Sequence, residues 1–274
     1  MSGWRSAPGI ALTLEALVDL QAGQGAMPRQ RPMARRAGVM ASRHPGSGMD
    51  LREIRAYVPG DDPRRMDPSA SARTGVPHVR ALHEDRDDIT LLIADLRGPM
   101  LWGTGDALRS VCGARHLAGL GWQAVARQGA VGLIVAEGAG VRVLPPATGA
   151  GHMLTLCRLL VDRHAAALAD PPGTAPLTEA LSLAARTAPT GAHVVLATLP
   201  DGWQGADAAL SRLARGRRVE VALILDPLET APPARPLPVR QGGATRLLRL
   251  QPADLGGQTD RLAAMGAVAR RVEP

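Results

Sequence analysis

Ser69 and Ser71 closely follow Asp67, with His78 and His83 further along, so a hydroxyl, a base and an acid share one segment. A serine becomes a nucleophile when a base within hydrogen-bond reach takes its proton. No G-x-S-x-G turn exposes either serine here. The 7 histidines, among them His44, His152 and His193, are scattered, and none forms H-E-x-x-H or another metal-ligand spacing. His116 and His164 fall in helical patterns and are expected at the surface or half-buried. Cys112 and Cys157 lie in apolar helical patterns without a CxxC pair, as small buried hydrophobes in a reducing compartment do. The glycines of 129–132 and 138–140 precede or join strands and open no helix, so they are not dinucleotide loops; no Walker A sequence is present. The sequence thus predicts no catalytic residue and a non-enzymatic protein.

Charge is the other chemistry on offer. Arg55, Arg64 and Arg73 lie close in sequence to Asp61, Asp62 and Asp67, which predicts a paired cluster. Pro59-Gly60-Asp61-Asp62 has turn chemistry: Pro fixes φ, Gly tolerates positive φ, and Asp bonds back to the backbone. The cluster reads as a clasp tying the entry segment to a sheet, with a partner-binding surface as the alternative. Further upstream, Arg29, Arg31, Arg35, Arg36 and Arg43 occupy a Pro- and Gly-rich stretch with no acid between Asp19 and Asp50. That stretch is a solvated linker or a patch for an anionic partner, nucleic acid or a membrane surface.

All 32 basic residues are Arg, and 25 acids are interspersed among them, leaving a modest net charge of +7 over 274 residues. With no Phe, 1 Tyr (Tyr57) and 4 Trp, the chain lacks the aromatics that stack on bases, so nucleic acid is not the expected partner. The same scarcity requires an aliphatic core. No apolar run approaches the roughly 18 residues of a membrane span, and the N-terminus has no basic-then-apolar leader pattern. A cytoplasmic protein is expected.

The elements that would carry these residues follow from hydrophobic periodicity. A short amphipathic helix is predicted over 9–21 and an outer strand over 76–83. Ile89 to Ala94 is an unbroken apolar run, as in a strand buried on both faces of a parallel sheet. A long helix over 105–127 follows, then a strand over 130–136 paired through a Gly-rich connection with 141–144. Helices are predicted over 151–169, 177–186 and 206–215, and buried strands over 192–198 and 219–226. A Pro-rich stretch spans 227–238, a short strand 246–250, and a last helix 260–271. Alternating strands and helices predict an α/β, doubly wound, mostly parallel sheet with helices on both faces. Residues 1–48 form a small N-terminal extension of helix and basic linker. Residues 49–274 form the main domain, with its core at about 76–226.

The segment 51–67, Leu-Arg-Glu-Ile-Arg-Ala-Tyr-Val-Pro-Gly-Asp-Asp-Pro-Arg-Arg-Met-Asp, resembles the signature of a bacterial family known as domain of unknown function 58, R-x-Y-x-P-G-D-D-x-R-x-I-D-W followed by A-R. Arg55, Tyr57, Pro59, Gly60, Asp61, Asp62, Arg64, Asp67, Ala72 and Arg73 match it; Pro68 stands where the family has Trp. The resemblance runs from Gly46 to about Val135 and more weakly onward. It implies a von Willebrand factor A-like fold, which usually holds a divalent ion through D-x-S-x-S after the first core strand, a Thr on a second loop and an Asp on a third. Oxygen-only ligands suit Mg²⁺.

Here Asp95 keeps the first position, while Arg97 and Pro99 replace the two serines. Thr174 stands as the second-loop Thr, and Asp201 lies late on the third loop. The expectation is therefore a degenerate site without Mg²⁺, in which any residual ligands are Asp95 and Thr174. The guanidinium of Arg97 either sits where the ion would, paired with Asp95 or with Asp201, or points into solvent and leaves a site that has simply decayed. The resemblance further implies an adaptor for a client protein or a MoxR-type AAA+ ATPase, acting in protein maturation through Asp95, Arg97, Thr174 and Asp201. The alternative is a binding module for an anionic partner through Arg29 to Arg43.

Overall fold

The computed structural model describes residues 7, 9–22, 51–59, 61–82, 88–137, 140–171, 173–241 and 243–273. The basic stretch 29–43, Gly60 and His83 lie outside the described residues. The chain forms two compact units, Gln30–Asp87 and Met1–Arg29 with Asp88–Pro274.

In the smaller unit, β1 (Leu51–Ala56) pairs antiparallel with β2 (His78–Leu82) across the helix α2 (Pro68–Thr74). The outer strand predicted over 76–83 therefore belongs to a sheet of its own, and its partner strand lies inside the signature segment. Asp67 caps α2, its carboxylate accepting from the Ala70 N–H at 2.9 Å, and Gly75 ends the helix at φ +73.

The larger unit opens with α1 (Leu14–Val18), capped by Thr13, whose hydroxyl accepts from the Ala16 N–H at 3.2 Å. Its sheet contains β3 (Ile89–Asp95), β4 (Ala130–Glu137), β5 (Gly140–Ala147), β6 (His193–Thr198), β7 (Arg218–Ile224) and β10 (Ala267–Val272). The order is β10-β7-β6-β3-β4-β5, and every pairing is parallel except the β4–β5 hairpin. Strand order runs outward from β3 through β4 and β5, then returns to the other side of β3 with β6. The carboxyl ends of β3 and β6 thus form a topological switch point.

Helices cover both faces. α1, α3 (Arg109–Ala126) and α4 (Ala150–Ala169) pack over Leu92, Leu133, Val195 and Ile224. α5 (Thr178–Thr187), α6 (Asp207–Ala214) and α8 (Gly256–Ala264) pack over Leu91, Ile93, Val194 and Val221. Both layers are almost wholly aliphatic, with Trp122 in one and Trp203 in the other. Among the described residues no helix is long and apolar enough to cross a membrane. The result is a mixed α/β fold around a mostly parallel sheet.

Two predicted elements differ. The helix predicted over 260–271 is α8 followed by β10, because Gly266 adopts φ +81 and the chain after it joins the edge of β7. The single strand predicted over 246–250 is the second arm of a hairpin, β8 (Leu237–Gln241) with β9 (Ala244–Leu248). Its first arm was hidden in the Pro-rich stretch, beside the short helix α7 (Pro227–Thr230). Proline is tolerated at an edge strand, where its missing N–H removes no inner ladder bond.

Trp122 Nε1 donates to the Leu17 carbonyl at 2.9 Å, tying α1 to α3 inside the core. Trp122→Phe keeps most of the apolar volume but leaves that carbonyl unpaired. A stability loss of about 1–3 kcal/mol is expected, read as a lower urea midpoint with an unchanged slope.

Candidate functional site

Asp95 ends β3 and Thr198 ends β6, so the switch point brings a carboxylate and a hydroxyl together. Thr198 Oγ1 donates to Asp95 Oδ2 at 2.6 Å. Arg97 closes the other side. Its backbone N–H and its Nε donate to Asp95 Oδ1 at 3.0 and 2.9 Å, and Nη2 donates to Oδ2 at 2.8 Å. The guanidinium then reaches two further loops, Nη1 donating to the Ala175 carbonyl at 2.5 Å and Nη2 to the Gly202 carbonyl at 2.7 Å. Asp95 is 2% exposed and Arg97 6%. A buried fork-to-carboxylate pair of this kind holds only when its remaining donors and acceptors are also satisfied.

Local structure makes the geometry possible. Arg97 stays extended at φ −66 and ψ 160, ahead of a short 3-10 turn, Gly98–Met100, in which Pro99 fixes the entry. Gly202 is required for space, because a Cβ there would fall 2.1 Å from Thr198 Oγ1.

The guanidinium therefore pairs with Asp95. Asp201 and Thr174 are exposed, and in both loops it is the next residue's carbonyl that meets Arg97. This donor set does not fit a divalent ion: both Asp95 oxygens are engaged by neighbours, a fixed positive charge stands beside them, and Thr174 faces solvent. Beside the pair lies a cleft of about 300 Å³, lined by Arg97, Glu137, Val141, Pro176, Leu177 and Glu179. Arg163 holds Glu137 through both carboxylate oxygens, Nη2 to Oε2 at 2.9 Å.

In the smaller unit, Arg55 pairs with Asp61 through two bonds of 2.8 and 2.6 Å. The Arg55 hydrogen bonds, followed by the Val58 N–H, hold the Asp61 carboxyl below its usual range. Asp62 caps the 3-10 turn Pro63–Arg65, accepting from the Arg64 N–H at 3.0 Å. Tyr57 is half-buried and its N–H donates to the Pro77 carbonyl at 2.8 Å, while Pro59 and the side chains of Arg64 and Arg73 are exposed.

Sequence reasoning missed Thr198 and a second buried acid, Asp226, beyond the end of β7. Asp226 accepts from the Thr104 N–H at 2.7 Å, from the Thr104 hydroxyl and from the Leu228 N–H at 3.0 Å. Its own N–H donates to Glu229, which pairs with Arg109 at 2.7 Å, and Arg109 stacks over Trp102. The signal was available: like Asp95, each of these polar residues closes an apolar strand run.

Ser110 and His164 are hydrogen-bonded at 2.9 Å, yet each is only 1% exposed, so no substrate reaches them. The expected surface or half-buried position of His164 is corrected by its packing between α3 and α4. Burial lowers its pKa from 6.5 to about 4.

A family model described as "Protein of unknown function DUF58" matches residues 53–239. An uncharacterized protein of Mycobacterium tuberculosis and one of Mycobacterium bovis are each 35% identical over 132 residues, covering 45% of this chain and 40% of theirs. The chain thus spans well under half the length of the curated relatives it matches. Among solved structures, the conserved hypothetical protein BatB of Bacteroides thetaiotaomicron aligns at 20% identity and TM-score 0.43, over 68% of this chain and 90% of that one. An aerotolerance-related membrane protein of Bacteroides fragilis aligns at 18% identity and TM-score 0.44, over 67% and 90%.

Two outcomes are expected. Arg97→Met, which strands the buried Asp95 carboxylate, costs about 3–5 kcal/mol, and the Asp95→Asn/Arg97→Met pair costs less than the sum of the single changes in urea titrations. His164 is neutral when folded, so between its unfolded pKa of 6.5 and its folded pKa of about 4 the unfolded chain binds more protons. Its contribution is complete above that window and falls by on the order of 3 kcal/mol as pH drops through it; His164→Gln flattens the decline.

Proposed function

The chain belongs to the DUF58 family, and on that premise we propose that it is a non-enzymatic adaptor built on a von Willebrand factor A-like domain with a degenerate metal-ion adhesion site. The observation that carries this reading is the Arg97 guanidinium, which joins the loop after β3, the loop of Ala175 and the loop of Gly202 at the switch point. In a von Willebrand A-like site, three loops of this kind converge on a divalent ion. Here one side chain supplies the positive charge and the bonds that such an ion would make. The surface offered to a partner is then Thr174, Asp201 and the cleft between Glu137 and Glu179, all at the carboxyl end of the sheet.

The partner in this proposal is a MoxR-type AAA+ ATPase or its client, in the cytoplasm, with the ATPase supplying the energy. The resemblance of the signature segment supports that partner. The burial of Ser110 and His164 supports a role without chemistry of its own.

The test is a pull-down of the tagged chain from its native cell, eluted with and without a chelator. Recovery of a MoxR-type ATPase is expected in equal amount under both conditions. The exposed changes Thr174→Arg and Asp201→Arg are expected to lower it without moving the thermal midpoint. Recovery that depends on divalent ions, or that ignores both substitutions, counts against the reading.

A further inference from the structure

The β8–β9 hairpin has no core of its own. Leu247 is 72% exposed, Leu248 44% and Val239 36%, although an isolated two-stranded hairpin is only marginally stable in water. It also carries Arg240 and Arg246, is flanked by Arg235 and Arg249, and has no acid between Glu229 and Asp254.

Its two edges differ. Pro238 lies opposite Leu247 and has no N–H to give it, so that pair is one of the non-hydrogen-bonded pairs of the ladder. Alternation then makes Leu237–Leu248, Val239–Arg246 and Gln241–Ala244 the bonded pairs. The backbone groups of Pro238 and Arg240 point away from the hairpin on one side, and those of Thr245 and Leu247 on the other. The β8 edge lacks a donor at Pro238. The β9 edge is complete, and among the described residues no third strand joins it. One face of the hairpin holds a hollow of about 260 Å³ lined by Val239, Ala244, Arg246 and Leu248.

We infer that the outer edge of β9 takes an extended segment of a partner protein, rich in Asp, Glu and aliphatic residues, as an added antiparallel or parallel strand. Thr245 and Leu247 supply the main-chain bonds, and the arginines select the acids. A membrane surface is disfavoured by the pattern. Leu248 shares a face with Arg246, and Leu247 with Arg240, whereas an interfacial element separates its apolar and basic sides. A single nucleic-acid strand would find no aromatic side chain in the hairpin to stack on. The inference does not depend on the adaptor reading of the Asp95–Arg97 site.

The test uses the whole chain and a fluorescent peptide of alternating Glu and Val, with a Lys–Val peptide as control. The acidic peptide is expected to bind, to slow amide exchange at Thr245 and Leu247, and to lose about tenfold in affinity with Thr245→Pro, which removes an outward donor and leaves the inner ladder intact. Arg246→Glu with Arg249→Glu is expected to shift preference toward the Lys–Val peptide. Equal binding of both peptides, or acidic-peptide binding unchanged by Thr245→Pro and by the charge reversals, overturns the proposal. So does binding to phosphatidylserine vesicles in place of either peptide.

Discussion

A carboxylate buried at the end of a central strand must be neutralised and hydrogen-bonded, or the strand cannot stay where it is. Asp95 imposes that condition on the larger unit. Meeting it fixes the loop after β3, since Arg97 must turn back through both its main chain and its side chain. It also fixes the loops of Ala175 and Gly202, whose carbonyls accept two further guanidinium N–H bonds, and it fixes Thr198 at the end of β6. The requirement for Gly at 202 is a secondary effect of the same packing. Loops on one edge of an open α/β sheet are normally its most variable parts, and here one ion pair couples three of them.

The core beneath shows how a chain without Phe fills an α/β sandwich. Leu, Val, Ile and Ala form both layers, and the few large rings are placed where a polar atom can be used. Trp122 reaches the Leu17 carbonyl, and Trp203 Nε1 reaches the Pro200 carbonyl at 2.9 Å. Each tryptophan thus joins aliphatic packing to a main-chain anchor that a phenyl ring could not make.

Much of this was legible in the sequence. The apolar runs 89–94, 130–136, 192–198 and 219–226 located four central strands, because a strand buried on both faces admits few polar residues. The pairing of Arg97 with Asp95 was legible only as one alternative, beside a pair with Asp201 or a side chain in solvent, because near neighbours of opposite charge need not meet. The contacts to Ala175 and Gly202 were not legible, since both contribute carbonyls, and a carbonyl leaves no trace in residue type. The last helix was misplaced for a related reason: 260–271 is mostly Ala and Arg, which favour helix, and the strand begins only because the backbone turns at Gly266. Pro238 masked β8 because a proline argues against a strand unless its N–H side faces outward.

A cation that is part of the chain behaves differently from one drawn from solution. The guanidinium of Arg97 is tethered two residues from the carboxylate it serves, so its local concentration is set by covalent geometry and not by the surroundings. Dilution does not part the guanidinium from its carboxylate. The three loops are therefore held together by a charge that enters the site as the chain folds.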